Sequence, residues 1–381
     1  MKKIILAFIL VFLFSFCAPR SDKVEKNTED GVEVILNHLK PYTIKGQPST
    51  FTLEEEFTID FEREDLASLG IGEVQGFDVD SKGSVYCLTE SQIFKFDNQG
   101  HFIRKFGQKG QGPGEFIYPE EWWLTENDEF ALYDRVNSKF IFFKADGEFL
   151  KEIKIPSKII TAGMVSVVLP GSKGFLFDEN LFDREVDNFF LQLIVLDADF
   201  DKIKVLKEKV NRANPFKSAK INLFTSFIRY QISGDKIYST SQENPDFEIN
   251  IYNFQGENIK KIRKASNKVR IPEDYKTERM DWYMESPMYR VHKMKAYFPE
   301  YYPPIKDFFV DTQGRIFVET YEDGESPDEE MVDIFNAEGI FIGRTSLKKA
   351  LSRIFKSDRM HVLHEKESGF QKLVVSNMHW K

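Results

Sequence analysis

One stretch decides more about this chain than any other: Gly76 to Phe116, GFDVDSKGSVYCLTESQIFKFDNQGHFIRKFGQKGQGPGEF. It reads as four short antiparallel strands followed by a crossing to the next unit. Phe77–Asp80, Val85–Thr89, Ile93–Asp97 and Phe102–Phe106 are the strands. Asp80-Ser81-Lys82-Gly83 and Asp97-Asn98-Gln99-Gly100 are tight turns, because Asp or Asn bonds the backbone two residues on and Gly accepts positive φ. GQKGQGPGEF after Phe106 is too rich in Gly for a regular element, so the chain crosses over there.

The unit recurs. A second copy runs from Glu121 to Ile155, a looser third from Met164 to Leu206, a fourth from Phe227 to Ile262 and a fifth from Asp307 to Thr345. Residues 347–378 supply about three strands of a sixth. The strand missing there is found near the start, at Phe51–Phe61, FTLEEEFTIDF. A ring of sheets closes well when an N-terminal strand completes the last sheet, because no free edge is left to aggregate. Each copy takes roughly 48 residues, within the range of propeller blades. The abundant Phe, 37 residues against 15 Pro, suits short buried strands. We therefore expect an all-β fold: a six-bladed β-propeller over 51–381, closed by an N-terminal strand.

The repeat resembles NHL-type six-bladed propellers and, more closely, the six-bladed propeller lipoproteins common in Bacteroidetes. Phe106-Gly107 with Gly110, Gly112-Pro113-Gly114-Glu115-Phe116, the DVDSKG and VDTQG turns and Pro303-Pro304-Ile305-Lys306-Asp307 carry the likeness. These are turns and crossovers, so the resemblance implies a fold and not an activity.

In such a ring the tight turns share one face. The crossovers and the second-to-third turns share the other, and these are the long loops, so a binding site is expected there. The largest lies between blades 4 and 5. Residues 271–304, IPEDYKTERMDWYMESPMYRVHKMKAYFPEYYPP, read as a helical insert: one helix to about Met284 and another over Met288–Phe298, broken at Pro287. Its rings make it either a lid that stacks on a sugar or peptide, or a brace packed on the rim. Candidate ligand-binding residues are Trp282, Tyr283, Tyr289 and Arg290, with Trp122 and Trp123 at the head of the second blade's innermost strand. Adjacent strand residues point to opposite faces, so at least one of that Trp pair packs between sheets.

The chain opens like a targeted protein. Lys2 and Lys3 precede a 13-residue apolar run, Ile4–Phe16, too short to span a bilayer and right for a signal peptide. Leu13-Phe14-Ser15-Phe16-Cys17 resembles a bacterial lipobox, in which the Cys is lipidated, although Phe16 departs from the small residue usual before that Cys. The alternative is simple secretion. Residues 1–16 are thus expected to be removed, with 17–50 a tether from lipid on Cys17 to the propeller. The resulting place is the cell envelope.

Several chemistries are disfavoured. A net charge of −9 gives no basic footprint for nucleic acid. GQKGQGPG precedes a strand, not the helix that a phosphate cradle needs. His361 and His364, three apart on a strand, point to opposite faces. The acid runs at 119–121 and 322–330 lack the oxygen spacing of a calcium loop. No cofactor or metal motif is found, and no Ser/His/Asp set announces itself. Two functional classes are carried forward: a non-enzymatic binding or scaffold lipoprotein, and a propeller enzyme, a lyase or metal-assisted hydrolase, acting at the central channel.

Overall fold

The computed structural model describes residues 24–381 except 161–162, 184, 186–187, 213–219 and 225. The signal peptide and Cys17 lie outside them. Six four-stranded antiparallel units form the ring, and the first five run from an innermost to an outermost strand in chain order. Blade 1 is Gly76–Val79, Val85–Leu88, Ile93–Phe96 and Phe102–Phe106. The innermost strands of the others are Pro119–Leu124, Gly163–Val168, Ile228–Ser233, Asp307–Val310 and Ser352–Lys356.

The turns form for the reason their sequences suggest. Asp97 Oδ1 accepts from the backbone N–H of Gln99 at 2.9 Å and of His101 at 2.8 Å. Asp80, Asn253 and Asp311 repeat that pair of bonds in their own turns. Gly100 holds φ +82°, and a side chain there would collide with the Phe57 ring. Only Gly meets both demands.

Apolar burial follows the period of the strand. Val85 and Cys87 feed the cluster between blades 6 and 1, while Tyr86 and Leu88 feed the one between blades 1 and 2. Six such clusters fill the six gaps between neighbouring blades. Because each sheet is covered on both faces, its middle strands read as nearly unbroken apolar runs. Burial pushes the Cys87 thiol well above its ordinary range, so it is inert.

The ring closes as expected. Phe51–Asp60 is the outermost strand of blade 6 and pairs antiparallel with Gln371–Trp380, in register from Phe51 opposite Trp380 to Asp60 opposite Lys372. Glu56 bulges out between Glu55 and Phe57, and its carboxylate accepts from Arg359 at 2.7 Å.

Two expectations need correction. The first concerns the tether over 17–50. From Glu25 onward it is a docked hairpin, Glu25–Glu29 and Val32–Asn37, that extends blade 4 to six strands. Val32–Asn37 lies parallel to the blade's own outer strand, Asn258–Lys264. Val34 and Ile35 are fully buried there, and Glu29 grips Arg263 through two bonds of 2.5 and 2.8 Å. The chain then passes over the rim of blade 5, where Tyr42 donates to the Phe341 carbonyl, and reaches the seam at Ser49 and Thr50. The second concerns the insert. Helix Glu273–Glu285 is followed by Pro287–His292, whose N-cap Ser286 accepts from Tyr289 N–H. Lys293, at φ +49°, ends that helix. Lys295–Tyr297 is then a strand, parallel to Lys220–Asn222 of the preceding crossover, where the sequence suggested continued helix to Phe298. Backbone pairing between two crossovers wins over local helix propensity.

Candidate functional site

The long-loop face is built by three departures from regular blades. Blade 3 raises a long hairpin, Phe175–Asp183 and Asn188–Leu196. The crossover from blade 3 to blade 4 carries Lys220–Asn222, and the insert stands beside it. Exposed large apolar side chains on this face include Tyr118 and Phe227 in crossovers, Val136 in a second-to-third turn, Leu181 and Phe182 near the tip of the blade 3 hairpin, and Trp282, Met284 and Val291 in the insert, while Leu53, Ile103, Ile203, Val205 and Ile259 are exposed on the outermost strands at the rim. Among the described residues, none sits in a tight turn of the opposite face.

The six ligand-binding candidates separate. Trp282 is 60% exposed, with the Arg279 guanidinium 4.8 Å from its ring. Tyr283 is 2% exposed, and its hydroxyl donates to the Met294 carbonyl at 2.9 Å. Tyr289 is half-buried, its ring edge-on to that of Tyr283 at 5.3 Å. Arg290 is exposed and donates to the Glu285 carbonyl, closing the first helix. The Tyr283–Tyr289 pair thus braces the helical hairpin, and Trp282 alone of the three rings is free to meet a ligand. Trp122 and Trp123 both pack between blades. A side chain at Gly76 would overlap the Trp122 ring, which joins the cluster between blades 1 and 2. Trp123 meets Phe140 edge-on at 5.7 Å on the blade 3 side. The alternation that sends one Trp into a core sends its neighbour into the next core.

Sequence reasoning missed the charged groups at the inner ends of the blades on this face. Arg229 of blade 4 lies 3.8 Å from Asp307 of blade 5. Buried Arg353 of blade 6 bonds Glu319 and lies 3.3 Å from Glu330, both of blade 5. Lys306 bonds Glu330 from the other side. Burial raises the Glu319 carboxyl to about 7 against the pull of Arg353. Across the ring, Glu121 is exposed, yet loss of bulk water around it and the neighbouring carboxylates of Asp178 and Glu120 push its carboxyl up to about 7. The signal available in the sequence was position: Glu121, Arg229 and Asp307 lie near the start of the innermost strands of blades 2, 4 and 5. Separated by tens of residues in the chain, such residues look like ordinary surface charges.

At its foot the insert is held by aromatic stacking. Tyr302 lies parallel to Tyr321 at 4.0 Å, with Phe224 and Tyr275 edge-on. A shallow pocket beside them is lined by Lys264, Asn267, Pro303, Tyr321 and Glu322. Among the described residues, no group of three or more His, Cys, Asp or Glu is arranged to hold a metal ion.

A family model described as "6-bladed beta-propeller", DUF5128, matches residues 71–301, well over half of the chain. The chain belongs to this DUF5128 family. The match takes in the first four blades and most of the insert. Among solved structures, a candidate exported protein of Bacteroides fragilis is similar at 15% identity and a TM-score of 0.52, covering 91% of this chain and 99% of its own. A DUF4221 member from Bacteroides vulgatus is similar at 11% identity and a TM-score of 0.49, covering 88% and 99%. The first of these likenesses is one of fold alone. No curated protein matches the DUF5128 chain. No described helix is long and apolar enough to cross a membrane.

Proposed function

We propose that this protein is an exported, lipid-anchored propeller of the cell envelope that binds a glycan or peptide on its long-loop face, as a capture or scaffold module. The observation that carries the reading is the one-sided distribution of exposed rings: Tyr118, Phe182, Phe227, Trp282, Tyr297 and Phe370 all lie on that face. Scattered apolar residues need no explanation, but their collection on one face of a disc marks an interaction surface. Export rests on the Lys2–Phe16 leader, and the Bacteroides fragilis relative is itself described as a candidate exported protein. The anchor rests on Leu13–Cys17.

The test is a screen of purified protein against immobilised glycans and peptides, repeated with Phe182→Ser, Phe227→Ser and Trp282→Ser. Hits that lose affinity in these variants support the reading. Hits indifferent to all three, or lost on changing the tight-turn face, sink it.

One observation favours the enzyme alternative. Glu121, near the start of the innermost strand of blade 2, has its carboxyl pushed up to about 7 by loss of bulk water, with Asp178 and Glu120 contributing, and a carboxyl so raised is suited to proton transfer. Turnover of any compound in a substrate screen that Glu121→Gln abolishes would replace binding by catalysis.

A further inference from the structure

The outer edges of the blades differ sharply in charge. Phe51–Asp60, the outer strand of blade 6, carries Glu54, Glu55, Glu56 and Asp60 and no Lys or Arg. Lys202–Arg212, the outer strand of blade 3, carries five Lys or Arg against one carboxylate, Glu208, which is buried. The outer strands of blades 1, 2 and 5 hold two Lys or Arg each. In a ring of six, blades 3 and 6 stand half a turn apart, so a basic edge lies diametrically opposite an acidic one. Both edges also expose aliphatic groups, Leu53 on the acidic strand and Ile203 and Val205 on the basic one. Lys202 and Lys207 are tied to Glu179 and Glu248 of the same molecule. Lys204 and Glu55 are exposed, and among the described residues neither takes part in an ion pair.

The chain already shows how such an edge is occupied. Asn258–Lys264 of blade 4 is the other strongly basic outer strand, with four Lys or Arg. The N-terminal hairpin lies along it in parallel, with Glu33 opposite Lys260 and 3.7 Å from its amine. Glu29 reaches Lys261 at 3.5 Å as well as Arg263. An acidic segment added in parallel to a basic outer strand is thus an arrangement this fold builds within itself. Among the described residues, no strand covers the edge of blade 3. Side chains of blade 4 take up part of it: Lys207 N–H donates to the Tyr252 hydroxyl, Asn211 N–H to Glu243, and the Ser241 hydroxyl to the Lys209 carbonyl. The stretch before them, Lys202 to Leu206, is as long as the paired part of the hairpin strand. Outer strands run from the tight-turn face to the long-loop face, so two discs lying the same way up bring theirs together in parallel. Counted from the tight-turn end, Glu54–Glu56 stand level with Val205–Lys207.

We infer that the occupant of the blade 3 edge is the blade 6 edge of a second copy of this chain, with Glu55 set against Lys204 and Leu53 against Ile203 and Val205. Charged edges repel their own kind. Blade 3 against blade 3 opposes Lys to Lys, and blade 6 against blade 6 opposes Glu to Glu, so the contact is head-to-tail. Because the two edges are half a turn apart, each added disc presents a fresh edge and the assembly grows as a row. The bulge at Glu56 limits the pairing to Phe51–Glu55. A contact this small is weak and sensitive to salt. Parallel pairing keeps every disc the same way up, so the long-loop faces of a row point to one side and can engage a repeated ligand together.

The test is sedimentation velocity of the chain from residue 17 with Cys17→Ser, over a range of concentration at low and high salt. The expected result is an average mass that rises past the dimer with concentration and falls with salt. Lys204→Glu and Glu55→Lys should each weaken association about tenfold or more, since each sets like charges across the contact. An equimolar mixture of the two variants should associate again, because every contact between unlike variants pairs opposite charges. Thermal melting checks that both exposed substitutions leave the fold intact. A monomer at every concentration overturns the inference. Growth that stops at the dimer, or that only one of the two variants weakens, indicates a contact between like edges and overturns the head-to-tail assignment. Association that both variants leave intact overturns these edges as the interface. A mixture no stronger than either variant alone overturns the pairing of Lys204 with Glu55.

Discussion

Asn37 accepts a hydrogen bond from the backbone N–H of Phe341 at 2.8 Å, across 304 residues of sequence. The same carboxamide donates to the carbonyls of Arg263 at 3.1 Å and Gly339 at 3.0 Å. One buried side chain thereby joins the N-terminal hairpin, the outer strand of blade 4 and the last turn of blade 5.

Asn37→Ala leaves three buried backbone groups without that partner. Each unsatisfied buried group costs about 1–3 kcal/mol, partly relieved by water at the rim. We expect a loss of roughly 3 kcal/mol in chemical denaturation, with ligand binding on the long-loop face unchanged. A loss below about 0.5 kcal/mol would show that the hairpin is not part of the cooperative unit.

Trp282 and Tyr283 are neighbours with opposite roles. Trp282→Ala should weaken ligand binding about 30-fold, the equivalent of ~2 kcal/mol for an interface anchor, and leave the melting temperature nearly unchanged. Tyr283→Ala removes a buried ring and its bond to Met294, and should destabilise the insert by about 3 kcal/mol. Limited proteolysis within 273–297 reads the second effect and titration the first. Reversal of the two phenotypes would make Trp282 the brace.

His361 on the second strand of blade 6 is buried, and burial lowers its pKa to about 4, with Arg359 and Lys356 adding to the effect. The unfolded chain binds a proton near 6.5 that the native fold does not accept until about 4, so stability is full above 6.5 and falls as the pH drops through that window. The size is roughly 3 kcal/mol at pH 4. Glu248, by contrast, has a pKa of about 2: burial raises it, but Lys207, Arg263 and Asn250 outweigh that. Its contribution is full above about 4.5 and is lost only below that, toward 2. Urea midpoints measured from pH 7 to 3 should decline in both windows. His361→Leu should flatten the upper one and leave the lower in place; an unchanged upper decline assigns it to another group.

Cys17→Ser, expressed with its leader, should move the protein from the membrane fraction to the soluble one. Wild type that takes up no labelled fatty acid, or a Cys17→Ser chain that stays membrane-bound, contradicts the anchor.

The ring itself was legible because its signals are local. An Asp or Asn with a Gly three residues on specifies a turn without reference to the rest of the chain, and FTLEEEFTIDF was visible as a strand short of a sheet. The hairpin at 25–37 was not legible in the same way. EKNTE is an edge strand, charged as edges must be, and its partner Val32–Asn37 finds its own neighbour in Lys260 to Lys264, far along the chain. Of that face, the long loops and the first helix of the insert were readable. The burial of Tyr283 was not, because helical spacing alone does not say which side of a two-helix hairpin faces its partner. Nor was the Arg353–Glu319 contact, which exists only because blades 5 and 6 are neighbours.

The belt from Glu25 to Thr50 also determines how the disc takes strain. If Cys17 is fixed and the protein is pulled by whatever it holds, tension along the backbone arrives first at Glu25–Glu29, then at Val32–Asn37 and the Asn37 clasp, and only afterwards at the seam. The seam strand Phe51–Asp60 is the first turn of chain that the ring cannot lose and stay closed. A peripheral hairpin that yields before it makes the N-terminal belt a mechanical fuse, one that can pay out some 25 residues of slack while all six blades remain in register.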